Sequence, residues 1–254
     1  MNVPGTRIVA IIPARYASER LPGKPLLPIA GKPMIQHVYE RTAKAALVGR
    51  VVVATDDERI ADVVHSFGGE VVMTPAGLPS GTDRIASVAR TMLDMDIVVN
   101  VQGDEPLIAP EMIDEAVKPL LDDPALPAAT LVRRIDNRDD LTNPGVPKVV
   151  LDRDGFCLYF SRSAIPFGRD VMPEEWLQRH TYYRHIGLYV FRRTFLLRYA
   201  QMPQTPLESA EKLEQLRILE HGERIKAVIT SYDTMPVDTR ADLERVRAFL
   251  GRHL

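Results

Sequence analysis

Arg15, Arg20 and Lys24 fall in one stretch, "PARYASERLPGKPL" (13–26), directly after a run of apolar residues. Two guanidinium forks and an ammonium, in a loop that Gly23 allows to turn tightly, can wrap a triphosphate through charge and backbone N–H groups. A bland basic surface turn is the alternative. The stretch is not the usual phosphate loop. Neither Gly-x4-Gly-Lys-[Ser/Thr] nor Gly-x-Gly-x-x-Gly occurs, which argues against a P-loop ATPase and a dinucleotide enzyme. A second candidate is Asp104 in "VNVQGDEP", whose carboxylate would project from a strand end, a suitable place for Mg²⁺ held between protein and phosphate oxygens. Asp238, in "PVDTRADL", stands at a similar strand-to-helix junction. Asp104 alone reads equally as a cap or turn residue, and Asp238 alone reads more readily as a structural turn residue than as a ligand. The third candidate, "PSGTDR", is a small polar loop opening a helix, whose unpaired N–H donors suit a base or phosphate; Thr82 is the expected helix cap. The fourth is a set of polar residues in apolar surroundings: Arg162, His185, Tyr189, Glu211 and Gln215. His185, Gly187 and Tyr189 alternate along a strand and share one face. Glu211 and Gln215, a helical turn apart, are expected on one face of a helix. Such a group can hydrogen-bond a polyol while Arg162 pairs with a carboxylate; His185 by itself reads as a satisfied structural histidine.

These residues need a scaffold, and the first half of the chain describes one. "RIVAIIPA", "RVVVAT", "EVVMT" and "DIVVNVQGDE" are apolar runs separated by the amphipathic segments "PMIQHVYERTAKAA", "DERIADVVHSFG" and "TDRIASVARTML". Continuously apolar strands alternating with helices predict an α/β fold with a parallel sheet covered on both faces. Ligands of such sheets bind beyond the carboxyl ends of the strands, where the opening loop and "QGDE" both fall. After about residue 128 the pattern changes to longer strands, "AATLVRRI", "PKVVLDRDGFCLYFSR" and "YYRHIGLYVFRR", with Asp154-Gly155 as a hairpin signal. An antiparallel or mixed section is expected there, reaching toward a partner subunit. "GRDVMPEEWLQRHTY" reads as a mobile loop near the pocket. One helix is expected over "PLESAEKLEQLRILEHGE", stopping near Gly222, and another over "TRADLERVRAFL", with Thr239 as cap and Asp242 completing a capping box.

Bulk properties narrow the function further. The chain has 254 residues and a formal charge of −2, so it has no global attraction to nucleic acid or an anionic membrane, and any anion binding must be local. The one cysteine, Cys157, rules out an internal disulfide framework and a cysteine-based zinc cage; within "FCLYF" it reads as a core thiol. The N-terminal apolar stretch is too short for a membrane span and lacks a small-residue cleavage pattern, so a cytoplasmic protein is expected.

"IPARYASERLPGKPL", "ATDDERIA", "SGTDR", "VNVQGDEP", "YFSR", "RHIGLY", "LEQLR" and "VDTRADLERV" occur in this order between about Ile8 and Leu250. Together they resemble the 3-deoxy-D-manno-octulosonate (Kdo) cytidylyltransferases, also called CMP-Kdo synthetases. The resemblance implies a Rossmann-like nucleotidyltransferase fold with a mostly parallel central sheet and a smaller antiparallel or mixed extension. It implies a single domain over 1–254, with a nucleotide-binding half to about 127, a sugar-binding and dimerisation extension over 128–235, and a helix over 236–254 returning to the core. The implied reaction joins CTP and Kdo to give CMP-Kdo and pyrophosphate, for lipopolysaccharide biosynthesis, with Mg²⁺ as cofactor and a homodimer as the usual assembly. Carried over by motif, Ala14, Arg15, Ser18 and Lys24 would meet the triphosphate, and Ser80 and Gly81 the cytosine side. Asp104 and Asp238 would hold the metal, with Arg15 and Lys24 completing the catalytic group. Gln102, Arg162, His185, Tyr189, Glu211 and Gln215 would line the sugar-acid pocket, with the glutamate of "LESAEKLEQ" that faces the sugar left open. Two residues depart from the family pattern: Glu19 inside the phosphate loop, and Pro236 where a glycine commonly precedes the valine.

Overall fold

A computed structural model describes residues 6–17 and 21–251. The chain opens with β1 (Ile8–Ala14) and a ribbon of two short strands, β2 (Pro28–Ile29) and β3 (Lys32–Pro33). It then alternates through α1 (Met34–Thr42), β4 (Arg50–Thr55), α2 (Glu58–Ser66), β5 (Val71–Met73), α3 (Gly81–Thr91), β6 (Ile97–Asn100) and α4 (Pro110–Asp122). Next come β7 (Ala128–Arg134), α5 (Arg138–Thr142), the hairpin strands β8 (Lys148–Leu151) and β9 (Cys157–Ser161), α6 (Trp176–Arg179) and the long β10 (Tyr183–Arg192). The chain ends with α7 (Arg193–Tyr199), α8 (Pro206–Glu211), α9 (Leu216–Glu220), β11 (Ile225–Ile229) and α10 (Arg240–Leu250).

The main sheet runs β11-β7-β10-β6-β1-β4-β5, with the β8–β9 hairpin attached to β10. Strands β6, β1, β4 and β5 are parallel, as are β7 and β11; β10 runs antiparallel between β6 and β7. Side chains of β1 divide by parity. Ile8, Ala10, Ile12 and Ala14 pack with α1, α2 and α4, whereas Val9 and Ile11 join the cluster under α3, α7 and α9. A strand covered on both faces must be apolar at every position, and burying each Val or Ile contributes about 1.5–3 kcal/mol. The C-terminal helix α10 returns to the start of the chain, packing Leu243 and Val246 against Ile29 and Met34. The hairpin turn is where Asp154-Gly155 predicts it: Gly155 has φ 76°, and the Asp152 carboxylate accepts the N–H groups of Asp154 and Phe156.

Two expectations need correction. The sequence reading omits α4, which starts at a proline and buries Met112, Ile113, Ala116 and Val117. The helix expected over 206–223 is two helices, α8 and α9, interrupted where Lys212 turns left-handed at φ 52°. At the break Arg162 donates to the carbonyls of Glu211 and Lys212, acceptors left without an intrahelical partner where α8 ends. Glu211 and Gln215 therefore do not share one helical face. The 168–182 segment is mostly exposed and lies outside the lining of the pocket described below. It carries α6, and buried Trp176 packs with Ile135, Leu141 and Tyr182 while its indole N–H donates to Val171 O at 3.0 Å.

Candidate active site

Two cavities open beyond the carboxyl ends of β1 and β6. The smaller, about 250 Å³, is bounded by Ala14, Arg15, Lys24, Gly81 and Gly103. The larger, about 440 Å³, lies between the 145–147 loop, β10, the 213–215 segment and the approach to α10. Gln102 and Asp104 belong to both walls, so the cavities are two chambers of one cleft.

In the smaller chamber the opening loop is closed at its neck. Gly23, at φ 66°, donates its N–H to Tyr16 O at 3.0 Å, and the Arg59 guanidinium stacks on the Tyr16 ring at 3.3 Å. Arg15 Nη2 donates to Leu78 O at 3.0 Å, tying this loop to the loop before α3. Ser18, a proposed triphosphate contact, lies outside the described residues, as do Glu19 and Arg20. Ser80 caps α3 through Asp83 N–H, which corrects the assignment of that cap to Thr82. Thr82, one residue inside the helix, turns its hydroxyl inward instead and donates to Glu214 Oε1 at 2.7 Å.

Asp104 and Asp238 are 134 positions apart in the chain and adjacent in the fold. Val237 N–H donates to Asp104 O at 2.9 Å, and the Thr239–Asp242 capping box then starts α10 directly after Asp238. Gly103 makes this arrangement possible. A Cβ there would lie 2.8 Å from Pro13 O, so a glycine lets the end of β6 approach β1. Lys24 Nζ sits between the two carboxylates, 2.7 Å from Asp104 Oδ2 and 3.4 Å from Asp238 Oδ1. One cation thus already reaches both acids. Among the described residues no group of three or more His, Cys, Asp and Glu side chains forms a metal cage. A pair of carboxylates completed by substrate phosphates and water is the donor set that suits Mg²⁺.

His185, Gly187 and Tyr189 line the larger chamber together, and the rings of His185 and Tyr189 are 5.2 Å apart. Burial pushes the His185 pKa down to about 3, so its ring is neutral. Thr130 Oγ1 donates to Leu188 O at 2.8 Å and lies 2.9 Å from His185 Nε2. The imidazole is therefore the donor in that contact, leaving Nδ1 as an acceptor. Arg162 also lines the chamber, but its guanidinium donates to the carbonyls of Glu211, Lys212 and Pro144. It braces two walls. Glu211 sits behind the wall, accepting from Ser161 Oγ at 2.7 Å and Arg162 N–H at 3.0 Å, while Glu214 and Gln215 face the cavity.

The sequence reading passes over Glu105 and Arg184 and leaves open which glutamate of "LESAEKLEQ" faces the sugar; Glu214 is on the cavity wall. Glu105 adjoins Asp104, and burial, reinforced by the charge of Asp104, pushes its pKa up to about 8. Arg184 is bonded to Asp233 and is out of step with the His185 alternation, which hides it from a strand-face argument. Burial likewise raises the Glu214 pKa. Glu105 Oε2, Arg184 Nε and Gln215 Nε2 are buried without a hydrogen-bond partner among the described residues, and all three residues line the larger chamber. Buried polar atoms are rarely left unpaired, so such a wall suits a ligand rich in hydroxyl and carboxylate oxygens.

The family profile described as cytidylyltransferase matches residues 9–225. A 3-deoxy-manno-octulosonate cytidylyltransferase of Geobacter metallireducens is 57% identical over 251 residues, covering 97% of this chain and 98% of its own. Its counterpart in Geotalea uraniireducens is 58% identical over 245 residues, covering 94% and 97%. A solved CMP:2-keto-3-deoxy-manno-octonic acid synthetase complexed with CTP is 45% identical and matches at a TM-score of 0.92, over 98% of this chain and 100% of that one.

Proposed function

The chain belongs to the cytidylyltransferase family, and from that premise we infer that it moves CMP from CTP to the anomeric hydroxyl of Kdo, giving CMP-Kdo and pyrophosphate. The observation that carries this reading is the shared wall: two chambers of different chemistry meet at Gln102 and Asp104. A triphosphate in the smaller chamber would lie against Arg15 and Lys24, and a sugar acid in the larger would meet the unpaired groups of Glu105, Arg184 and Gln215. The α-phosphorus and the attacking hydroxyl would then face each other across Asp104.

Such a transfer depends on positioning and charge neutralisation more than on covalent catalysis. Asp104 and Asp238 would hold Mg²⁺, which when bound supplies charge neutralisation at phosphate and a lowered pKa at the attacking hydroxyl. Arg15 and Lys24 stabilise charge developing on the transferred and leaving phosphates. Neutral His185 offers Nδ1 to a sugar hydroxyl, and Arg162 keeps the chamber open by holding Pro144 and Lys212. We place the reaction in the cytoplasm, in lipopolysaccharide biosynthesis, and in a homodimer. No helix among the described residues is long and apolar enough to cross a membrane, and exposed Leu158, Phe167 and Met172 on the 128–235 extension offer apolar surface to a second copy.

The test is pyrophosphate release from CTP with Mg²⁺, in parallel with Kdo, its 8-amino analogue, sialic acid and no acceptor. Release is expected with Kdo alone, lost with EDTA and restored by excess Mg²⁺. Release with another acid only would move the sugar assignment; none with any acid would overturn the reading.

A further inference from the structure

Glu214 is an expensive residue to bury. Glu214 lines the larger chamber, burial raises its pKa, and among the described residues its side chain accepts one hydrogen bond, from Thr82 Oγ1 at 2.7 Å. Its backbone is pinned separately, with Glu214 O accepting from the Tyr199 hydroxyl at 2.7 Å. The main chain is thus held from the apolar core, while the direction of the carboxylate depends on the 82–214 contact. Thr82 is itself buried and stands in the first turn of α3, next to Gly81 on the wall of the smaller chamber. No continuous secondary element links the two segments. They are 132 positions apart, and the 212–215 stretch between α8 and α9 is non-helical, so the chain does not fix the rotamer of Glu214 by local structure.

We propose that Thr82 is a positioning residue for acceptor binding: its hydroxyl, fixed by the helix that borders the nucleotide chamber, holds the Glu214 carboxylate in the orientation that receives the sugar acid. This rests on the reading of the larger chamber as the sugar-acid site. A buried carboxylate bonded on one oxygen keeps its second oxygen for a ligand hydroxyl, whereas an untethered one rotates toward whatever solvent or donor it can find. Valine keeps the shape of threonine and removes only the donor.

The experiment compares wild type, Thr82→Val, Thr82→Ser and Glu214→Gln, alone and with Thr82→Val added to Glu214→Gln, by pyrophosphate release with CTP and Kdo varied in turn. Loss of a hydrogen bond to a charged group should raise KM for Kdo about 10- to 100-fold in Thr82→Val, with KM for CTP within about twofold of wild type. Thr82→Ser should restore the Kdo value. In the Glu214→Gln background the Thr82→Val change should add less than about threefold, since the partner it acts through is already altered. An unchanged Kdo KM in Thr82→Val, a parallel rise in both KM values that serine does not rescue, or full additivity with Glu214→Gln would each overturn the proposal while leaving the activity intact. A wild type that transfers no CMP to Kdo would overturn the functional reading, and the proposal with it.

Discussion

Replacing Gly103 by alanine tests the link between backbone packing and chemistry. The added Cβ would stand 2.8 Å from Pro13 O and 3.6 Å from Ile12 Cγ2, and the first is closer than a Cβ contact tolerates. Pro13 O belongs to the backbone of β1, so no side chain can swing away to make room. The end of β6 must move outward by about 0.5 Å, and overpacking of this kind costs about 1–3 kcal/mol. For a chain of this length each kcal/mol lowers Tm by about 2–4 °C, giving an expected loss of about 2–12 °C. Asp104 is the next residue and moves with the strand end. Misplacement by about 1 Å can cost about 100-fold in rate, so roughly a tenfold fall in kcat is expected for half that shift. Gly77→Ala is the control, because a Cβ there meets nothing within 4 Å. Calorimetry and steady-state pyrophosphate release measure the two effects. A Gly103→Ala protein that melts and turns over like wild type would refute the claim that this glycine sets the position of Asp104.

Other perturbations separate catalytic from structural roles. Lys24→Ala removes the ammonium that reaches both carboxylates and should lower kcat about 10²- to 10³-fold with unchanged circular dichroism; near-native turnover would count against its role at the phosphates. His185 has a folded pKa of about 3 against about 6.5 in an unfolded chain, so the unfolded state takes up the proton first as pH falls. Its contribution to stability is complete above about pH 6.5 and is lost progressively from there toward pH 3. His185→Gln should flatten Tm between pH 6.5 and 5, and an undiminished slope would show that another group controls this window. Burial pushes the Cys157 thiol up to about 12, so the native protein should not react with an aromatic disulfide reagent at pH 8, while one equivalent should react in denaturant. Prompt reaction of the native chain would contradict the packing of β9.

Residue type and order made the scaffold legible wherever local pattern and tertiary environment agree. The alternation of apolar runs and helices gives β1, β4, β5 and β6 with α1, α2 and α3, because a strand covered on both faces shows no period-two polarity and is recognised by its β-branched content. Failures share a different cause. The Glu211–Gln215 face fails because Lys212 adopts a left-handed turn without a glycine to announce it, and its carbonyl is satisfied by an arginine fifty positions earlier. Thr82 looks like a cap because "SGTD" offers two hydroxyls, and only the burial of its side chain against Glu214 decides for Ser80. Glu214, three positions after Glu211, would share its side of an unbroken helix, so the sequence leaves open which glutamate faces the cavity; the break between α8 and α9 decides it, with Glu214 on the wall and Glu211 behind it.

Pro236 shows how a departure from the family pattern can be read through the hydrogen bonds around it. The residue lines the larger chamber two positions before Asp238 and has no N–H to give. Were the bond to Asp104 O made by residue 236, proline would break the junction that brings the two acids together. The donor is Val237, one residue later, so the loss costs nothing at that contact. Proline instead fixes its own φ and limits the conformations open to the residue before it, which reduces the freedom of the unfolded segment leading to Asp238. Val237 is fully buried against Leu243 and Val246, so the chain is clamped on the far side as well. Between a rigid residue at 236 and a capped helix from 239 onward, Asp238 has little backbone freedom left, and its carboxylate is presented to Lys24 and Asp104 before any ligand arrives.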